Sequence, residues 1–299
     1  IGQMVSSLQN LEGNKNMTDI KSMNKKELEE LVGSLGEKSF RAKQIYSWLH
    51  EHLVTSYEEM TNLSAGLKKK LSVYPITALR MVDVQISRLD GTRKYLFQLA
   101  DGNVIESVLM RYKHGNSVCI SSQVGCRMGC RFCASTIGGL TRCLTPSEML
   151  DQIYSIQKDT GERVSNVVVM GTGEPLDNYD NLLRFIHILT EEGGLHISQR
   201  NLTVSTCGLV PEMLRLAEEK LQITLALSLH APNDEKRQEL MPIARKYTME
   251  EVLNACRIYF EKTGRRITFE YSLVAGQNDT VEEADALCRL VKGMNCHIN

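Results

Sequence analysis

The chain has 299 residues, with 42% hydrophobic and 24% charged side chains and a formal net charge of −1. These values are typical of a globular protein with one large or two ordinary domains. The charge balance excludes a uniformly basic nucleic-acid coat, and no apolar run approaches the roughly 20 residues of a membrane span.

The beginning of the chain predicts a tail followed by a small helical domain. Residues 1–23 are polar and lack periodicity, so we expect a flexible tail. Apolar residues then recur at helical spacing, with helices starting at Asn24 and Ser39 and a third around Leu67, and Pro75 ends the segment. Residues 24–75 are therefore predicted to form a helical accessory domain that is too small to bury much core alone.

Residues 76–115 show the period-two alternation of β-strands. The dipeptides Asp90-Gly91 and Asp101-Gly102 are turn signals that separate the alternating runs. The simplest prediction is a short antiparallel extension that links the helical domain to the rest of the chain.

Residues 116–299 alternate short apolar strands with helical stretches. Repeated strand–helix units predict parallel strands with crossover helices, which is an α/β fold. Six strands are predicted, starting near residues 117, 164, 202, 223, 267 and 296, and this number is below the eight of a closed barrel.

Cysteines are the most informative residues of the sequence. The chain has nine, and five of them lie close together, at positions 119, 126, 130, 133 and 143. Clustered thiols in a long chain indicate a reducing cytoplasm and metal or redox chemistry. We therefore expect a cytoplasmic protein.

The central spacing of this cluster is C-x3-C-x2-C, formed by Cys126, Cys130 and Cys133. A structural zinc site needs four ligands, so zinc would require Cys119 or Cys143 as well. An iron–sulfur cluster held by three cysteines instead leaves one iron open for a substrate. The position after the first parallel strand favours the cluster, because functional residues gather at the carboxyl ends of such strands.

The motifs resemble a known superfamily. The C-x3-C-x2-C loop after the first strand resembles that of the radical S-adenosylmethionine (SAM) enzymes, and Gly173-Glu174-Pro175 resembles the element that meets the SAM amino group there. Together with residues 122–126 and 228–234, these motifs resemble the RlmN-type 23S rRNA and tRNA adenine-C2 methyltransferases, from about residue 24 to the end. The resemblance implies an α/β fold with a partial (β/α)6 radical SAM barrel over residues 116–299.

The resemblance also implies roles for individual residues. The cluster ligands would be Cys126, Cys130 and Cys133. Contacts to SAM would come from strand-end residues, namely Gly173, Glu174, Pro175, Ser205, Ser228, Leu229 and His230. Glu106 would accept a proton, and Cys119 would release the methylated product through a disulfide.

The implied cofactors are a 4Fe-4S cluster and two SAM molecules per turnover. One SAM would methylate a protein cysteine, and the other would generate the radical that activates this methyl group for addition to adenine C2. This carbon is a poor nucleophile, which explains why a cofactor has to supply the reactive species. The expected partners are 23S rRNA, tRNA and an electron donor such as flavodoxin or ferredoxin, with no membrane; we expect a monomer.

The sequence departs from the family pattern in one respect. The methylated cysteine of the family lies in a D-x-D-A-A-C-like element, and neither Cys288 nor Cys296 has that context. We therefore expect a truncated C-terminal end and an inactive chain in methyl transfer. Robust methylation of unmodified 23S rRNA by these 299 residues would contradict this expectation.

Two alternatives stay open at this point. A Cfr-type enzyme would methylate adenine C8 of the same rRNA, although Pro175 favours the C2 enzymes. A non-enzymatic zinc-binding RNA module belongs to a different class and would bind one zinc instead of a cluster.

Other cysteines and basic residues have simpler interpretations. We expect packing roles for Cys143, Cys207, Cys256 and Cys288, because free cysteine is commonly buried. Candidate RNA contacts are basic residues and one aromatic residue, namely Arg41, Lys43, Trp48, Lys68, Lys69, Lys70, Arg127, Arg131 and Arg142.

Overall fold

One continuous sheet of nine strands forms the centre of residues 19–299, the part of the chain that the computed structural model describes. In chain order the strands are β1 (Arg80–Ile86), β2 (Arg93–Gln98), β3 (Val104–Tyr112), β4 (Gly115–Cys119), β5 (Gln123–Gly125), β6 (Leu140–Cys143), β7 (Val164–Val169), β8 (Leu202–Thr206), β9 (Thr224–Ser228), β10 (Ile267–Glu270) and β11 (Cys296–Ile298). The sheet order is β1-β2-β3-β4-β7-β8-β9-β10-β11, and β5 pairs only with β6.

Strand β4 joins two kinds of pairing. It is antiparallel to β3 and parallel to β7, and every later neighbour in the sheet is also parallel. The six parallel strands, β4 and β7 to β11, confirm the predicted partial barrel. The antiparallel strands β1 to β3 extend the edge of the same sheet, so residues 76–115 are structurally continuous with the barrel.

Helices cover the sheet between its strands. They are α1 (Lys25–Ser34), α2 (Phe40–His50), α3 (Ala65–Leu71), α4 (Pro146–Thr160), α5 (Tyr179–Thr190), α6 (Val210–Glu218), α7 (Asp234–Leu240), α8 (Met249–Thr263) and α9 (Val281–Leu290). Among residues 19–299, no helix combines the length and the apolar composition that crossing a membrane would require.

Helix α4 was not predicted from the sequence, although its start carries a clear signal. The Thr145 side chain accepts a hydrogen bond from the Glu148 N–H, and the Glu148 carboxylate accepts one from the Thr145 N–H. Pro146 is the first helical residue, and Gly161 ends the helix with a φ of 66°. This capping box with an N-terminal proline and a C-terminal glycine is a standard pair of helix boundaries.

The helical accessory domain packs directly on the barrel helices. The Tyr46 hydroxyl on α2 donates a hydrogen bond to the Ile188 carbonyl on α5 at 3.2 Å. His50 Nδ1 lies 2.8 Å from the Tyr154 hydroxyl on α4. Buried apolar residues of both parts form one continuous core. A module of this size gains its stability from such packing, since it cannot bury a sufficient core alone.

The predicted tail over residues 1–23 needs a correction. Residues 1–18 lie outside the described part of the chain, but Asp19 to Met23 are fixed in place. Residues Ile20–Ser22 form a buried 3-10 turn, and the Lys21 ammonium lies 2.6 Å from the Asp151 carboxylate inside the protein. Lys21 appeared to belong to a polar tail because its partner is 130 residues away in the sequence.

Candidate active site

A cavity of about 190 Å³ opens at the carboxyl ends of the parallel strands. Its wall combines the cysteine loop after β4 with the residues that follow β7, β8 and β9. The predicted site residues in this wall are Cys126, Cys130, Cys133, Gly173, Glu174, Pro175, Ser205 and Ser228. The structure therefore brings these residues together, while their individual roles stay predictions.

Strands β5 and β6 form a hairpin that holds both ends of the cysteine loop. The Cys126 N–H donates to the Gly139 carbonyl at 3.0 Å. Gly125 has a φ of 75°, and a Cβ at this position would lie 1.9 Å from the Gly139 carbonyl oxygen. Only glycine fits such a left-handed backbone with so close a neighbour. The hairpin thus holds both ends of the loop in place.

The three loop thiols form a donor set that fits an iron–sulfur cluster. Cys126 and Cys130 are 6% and 9% exposed, and all three thiols are free. Burial, together with the neighbouring thiols of Cys126 and Cys133, raises the pKa of Cys130 to about 12. Three thiolates in such a place need a cationic partner, which iron provides.

Single-ion sites fit these residues less well. Between residues 19 and 299, no three histidine, cysteine or acidic side chains converge closely enough to hold one metal ion. In a cluster each thiolate binds a different iron, so the sulfurs lie farther apart than around a single zinc. Metal analysis of the reconstituted chain distinguishes a cluster from the zinc site that the sequence also allowed.

Glu174 links the ends of two strands from inside the cavity wall. The side chain is 4% exposed. One carboxylate oxygen accepts a hydrogen bond from the Leu176 N–H at 3.0 Å, and the other accepts one from the Cys207 N–H at 2.8 Å. Burial raises the pKa of Glu174, and these hydrogen bonds oppose that shift.

Gly173 lets the chain turn into this position. Its φ is 108°, and a Cβ would lie 2.6 Å from the Cβ of Gln123. Gln123 in turn accepts a hydrogen bond from the Glu174 N–H at 2.9 Å. The turn after β7 is therefore packed against the base of the cysteine hairpin.

The residues after β9 divide between the cavity and its support. Ser228 lines the cavity, and Leu229 is fully buried behind it. His230 has a φ of 55°, and its Nδ1 accepts a hydrogen bond from the Ser272 N–H at 3.0 Å. Its ring also meets Phe132 of the cysteine loop edge to face, with 4.8 Å between centroids.

Burial, together with the charge of Arg237, lowers the pKa of His230 to about 4. His230 is consequently neutral near pH 7, and its engaged Nδ1 puts the ring proton on Nε2. This geometry makes the side chain a link between the β9 end and the cysteine loop.

Glu106 and Cys119 do not line the cavity, but they share a surface with it. The strand register carries one face of the sheet from β3 to β9. Because alternate residues of a strand point to the same face, Glu106 and Cys119 lie on the face that carries Ser205 and Ser228. Glu106 is half-exposed, and its carboxylate lies 2.6 Å from the Lys94 ammonium.

Sequence reasoning missed several residues of this region. Cys207 was expected to serve packing only, yet it contributes to the cavity wall, and Cys288 was expected to be buried but is exposed. Glu270 ends β10, and its carboxylate accepts a 2.8 Å hydrogen bond from the Asn299 side chain. Cys207 directly follows β8, and Glu270 is the last residue of β10. Their position at strand ends is the signal that would have singled them out.

Most of the predicted RNA-contacting cations have acidic or carbonyl partners. Ion pairs join Lys70 to Glu37, Arg127 to Asp177, and Arg142 to both Asp101 and Glu148. Arg41 donates to the Asn62 carbonyl, and the Trp48 indole donates to the Asn62 side chain. Across the described residues, no ion pair involves Lys43, Lys69 or Arg131.

Comparison with known proteins agrees with this geometry. Residues 120–291 match the family model of the radical SAM superfamily, and residues 17–75 match that of the ribosomal RNA large subunit methyltransferase N-terminal domain. The crystal structure of a radical SAM methyltransferase from Sphaerobacter thermophilus superimposes with a TM-score of 0.90 at 44% identity, covering 94% of this chain and 84% of that one.

Curated relatives are similar over most of their length. A protein of Lachnospira eligens named "Probable dual-specificity RNA methyltransferase RlmN" is 66% identical over 284 residues, which cover 95% of this chain and 81% of the relative. One of the same name from Clostridium perfringens is 54% identical, covering 95% and 82%. The chain therefore belongs to the radical SAM superfamily and, within it, to the RlmN family of RNA methyltransferases.

Proposed function

We propose that the chain holds a 4Fe-4S cluster through Cys126, Cys130 and Cys133 and binds SAM beside it. The reaction is methylation of adenine C2 in 23S rRNA and tRNA. One observation supports this proposal above all others: the three thiols and the ends of three parallel strands surround a single cavity.

When bound, the cluster and SAM supply a one-electron cleavage of the sulfonium, which polar side chains cannot provide. The chain itself contributes binding and orientation. Two backbone N–H groups hold the Glu174 carboxylate in place, and its remaining lone pairs can accept hydrogen bonds from the SAM amino group. The hydroxyls of Ser205 and Ser228 lie across the same cavity and can bind further polar atoms of SAM.

Glu106 and Cys119 lie farther along the same sheet face. Their position supports the roles of proton acceptor and resolving thiol, provided that the adenine approaches over this face. Burial raises the pKa of Cys119, which keeps the thiol protonated until a reaction partner arrives. The adenine base would have to flip out of its base stack to reach this face of the sheet.

The finer parts of the proposal come from the family resemblance. They are the methyl-cysteine intermediate, the use of two SAM molecules and an electron donor such as flavodoxin or ferredoxin. The name shared by the relatives supports RNA substrates, and nine free cysteines suit a reducing compartment such as the cytoplasm.

The first test is reductive SAM cleavage. The anaerobically reconstituted chain, given SAM and dithionite, should yield methionine and 5′-deoxyadenosine, both measured by mass spectrometry. Cys126→Ala should abolish this yield, while Cys288→Ala, which removes an exposed thiol, should retain it. A cluster-loaded protein that leaves SAM intact would contradict the proposal.

The RNA part needs its own readout. Because neither Cys288 nor Cys296 has the family's D-x-D-A-A-C-like context, we expect no methyl transfer by these 299 residues. Nucleoside analysis of RNA treated with the chain tests this, and any methylated adenosine that forms is assigned to C2 or C8. Binding of a 23S rRNA fragment and of tRNA, compared with DNA of equal length, tests the substrate class separately from turnover. Equal affinity for DNA would contradict the RNA assignment.

A further inference from the structure

Arg237 is a buried cation that forms no salt bridge among residues 19–299, although Asp234 on the same helix is near enough to raise its pKa. It lies on α7, its side chain is 0% exposed, and it is the largest of the fully buried side chains. One guanidinium nitrogen, Nη2, donates to the Cys207 carbonyl at 2.6 Å and to the Ser228 carbonyl at 3.2 Å. The other two, Nε and Nη1, are buried without a hydrogen-bond partner. Throughout residues 19–299, no carboxylate forms a salt bridge with it.

This arrangement is costly unless another charge compensates it. Removing a cation from water without a partner is strongly unfavourable, and a neutral amide would serve two carbonyls equally well. Burial lowers the pKa of Arg237, but a guanidinium starts so far above neutrality that it keeps its charge. The positive charge therefore requires an explanation beyond the two hydrogen bonds.

The position of Arg237 supplies one. Both of its acceptors belong to residues of the cavity wall, Cys207 and Ser228. Helix α7 also meets the cysteine loop, because its last residue, Leu240, accepts a 2.9 Å hydrogen bond from the Arg131 N–H. The charge of Arg237 is close enough to lower the pKa of Cys130. The guanidinium thus lies behind the wall of the cavity that the loop thiols also line.

We propose that Arg237 is a positioning residue whose charge raises the midpoint potential of the cluster held by Cys126, Cys130 and Cys133. This inference rests on the proposed function, because it requires the cluster. Reduction adds one electron and hence one negative charge to a thiolate-bound cluster, with no bond made or broken. A fixed positive charge in a poorly solvated site stabilises the reduced form more than the oxidised form.

The test is a redox titration of the cluster in the full chain, with dithionite as reductant, mediator dyes and detection by electron paramagnetic resonance. Arg237→Gln keeps a donor for the carbonyls but removes the charge. At a fixed potential, its ratio of reduced to oxidised cluster should fall at least about tenfold, which is about 59 mV for one electron. Arg237→Lys keeps the charge and should stay within about threefold of the unchanged protein.

A control on the same helix is Lys236→Gln. Lys236 is partly exposed and pairs with Glu283, so solvent screens its charge and the midpoint potential should not move. Thermal unfolding of each cluster-free variant separates effects on folding from effects on the potential.

The possible results distinguish an electrostatic role of Arg237 from a purely structural one. An unchanged potential in Arg237→Gln, or equal shifts in the Gln and Lys variants, would overturn the proposal. Failure of both cluster-free variants to fold would also overturn it, by making Arg237 a structural anchor. A Gln variant that folds but loads no iron, beside a Lys variant that does load, would overturn it in favour of a role of the charge in cluster assembly. If the unchanged protein itself takes up no cluster, the proposed function fails first, and iron analysis shows this before any titration.

Discussion

The Glu174 carboxylate and the Cys207 backbone N–H form a 2.8 Å hydrogen bond that ties the end of β7 to the end of β8. The bond is buried, so it fixes the carboxylate at the cavity wall without competition from water. The spacing between two strand ends and the orientation of the proposed SAM-binding carboxylate are therefore set by the same contact.

Glu174→Gln should weaken SAM binding by about tenfold to a hundredfold. The amide loses the charge, and its NH2 group then faces the Cys207 or Leu176 N–H, which places two donors against each other. Hydrogen bonds to charged groups contribute about 1.5–3 kcal/mol, and about 1.4 kcal/mol corresponds to tenfold. Calorimetric titration of the cluster-loaded protein with SAM measures the change.

Glu218→Gln is the matched control, since Glu218 is an exposed carboxylate on α6 that pairs with Lys262. Its SAM affinity should equal that of the unchanged protein. Unaltered affinity in Glu174→Gln would show that the amino group of SAM binds elsewhere.

Gly125→Ala should prevent cluster assembly. The added Cβ would lie 1.9 Å from the Gly139 carbonyl oxygen, so the hairpin that carries the cysteine loop has to open. Gly138→Ala adds the same methyl group one residue from Gly139, where no atom lies within 4 Å. Iron content after anaerobic reconstitution should be near zero in the first variant and normal in the second. Equal iron in both would refute the idea that the hairpin positions the thiols.

His50 should make stability depend on pH. Burial, together with the charge of Lys21, lowers its pKa to about 3. The unfolded chain takes up a proton near pH 6.5 and the folded chain does not. The free energy of unfolding should therefore fall as the pH drops from about 6.5 towards 3, by about 1.4 kcal/mol per pH unit from this residue.

Urea denaturation at pH 7, 6, 5 and 4.5 measures this dependence. Between the two lowest values, His50→Gln should have a smaller slope than the unchanged protein by about the contribution of one proton. The control is His52→Gln, which changes an exposed histidine two residues after His50. Its slope should equal that of the unchanged protein. Identical slopes in all three proteins would mean that His50 is protonated in the folded state.

Lys69 is the cation of the Lys68–Lys70 run on which we expect RNA binding to depend most. Lys70 pairs with Glu37, and Lys68 donates to the Glu58 carbonyl, whereas within residues 19–299 Lys69 has no such partner. Lys69→Glu should weaken RNA binding and lower the salt-dependence slope by about one phosphate contact. The control is Lys292→Glu, which changes a lysine that follows α9. Equal salt-dependence slopes for the two variants would exclude the Lys68–Lys70 run as an RNA-binding surface.

The sequence predicted the parallel strands well, because their short apolar runs alternate with helical stretches and most of them end at recognisable polar turns. Tertiary partners were harder to foresee. The role of Lys21 depends on Asp151, and that of Glu270 on Asn299, contacts that arise only when distant segments fold together.

The same distinction applies to the candidate site. Spacing and resemblance identified the three loop cysteines and Glu174, since these lie in local motifs. Arg237 belongs to no recognisable sequence motif, because what distinguishes it is its burial and its hydrogen bonds to the carbonyls of Cys207 and Ser228. Helix α4 is a different case, because the capping box of Thr145 and Glu148 is a local motif that marks the start of the helix in the sequence.

Metal analysis of the chain after anaerobic reconstitution with iron and sulfide tests the central claim most directly. We predict brown protein with about four irons per chain, and loss of the cluster when Cys126, Cys130 or Cys133 becomes alanine. Colourless protein with one zinc per chain, or a full cluster that survives all three substitutions, would contradict the account.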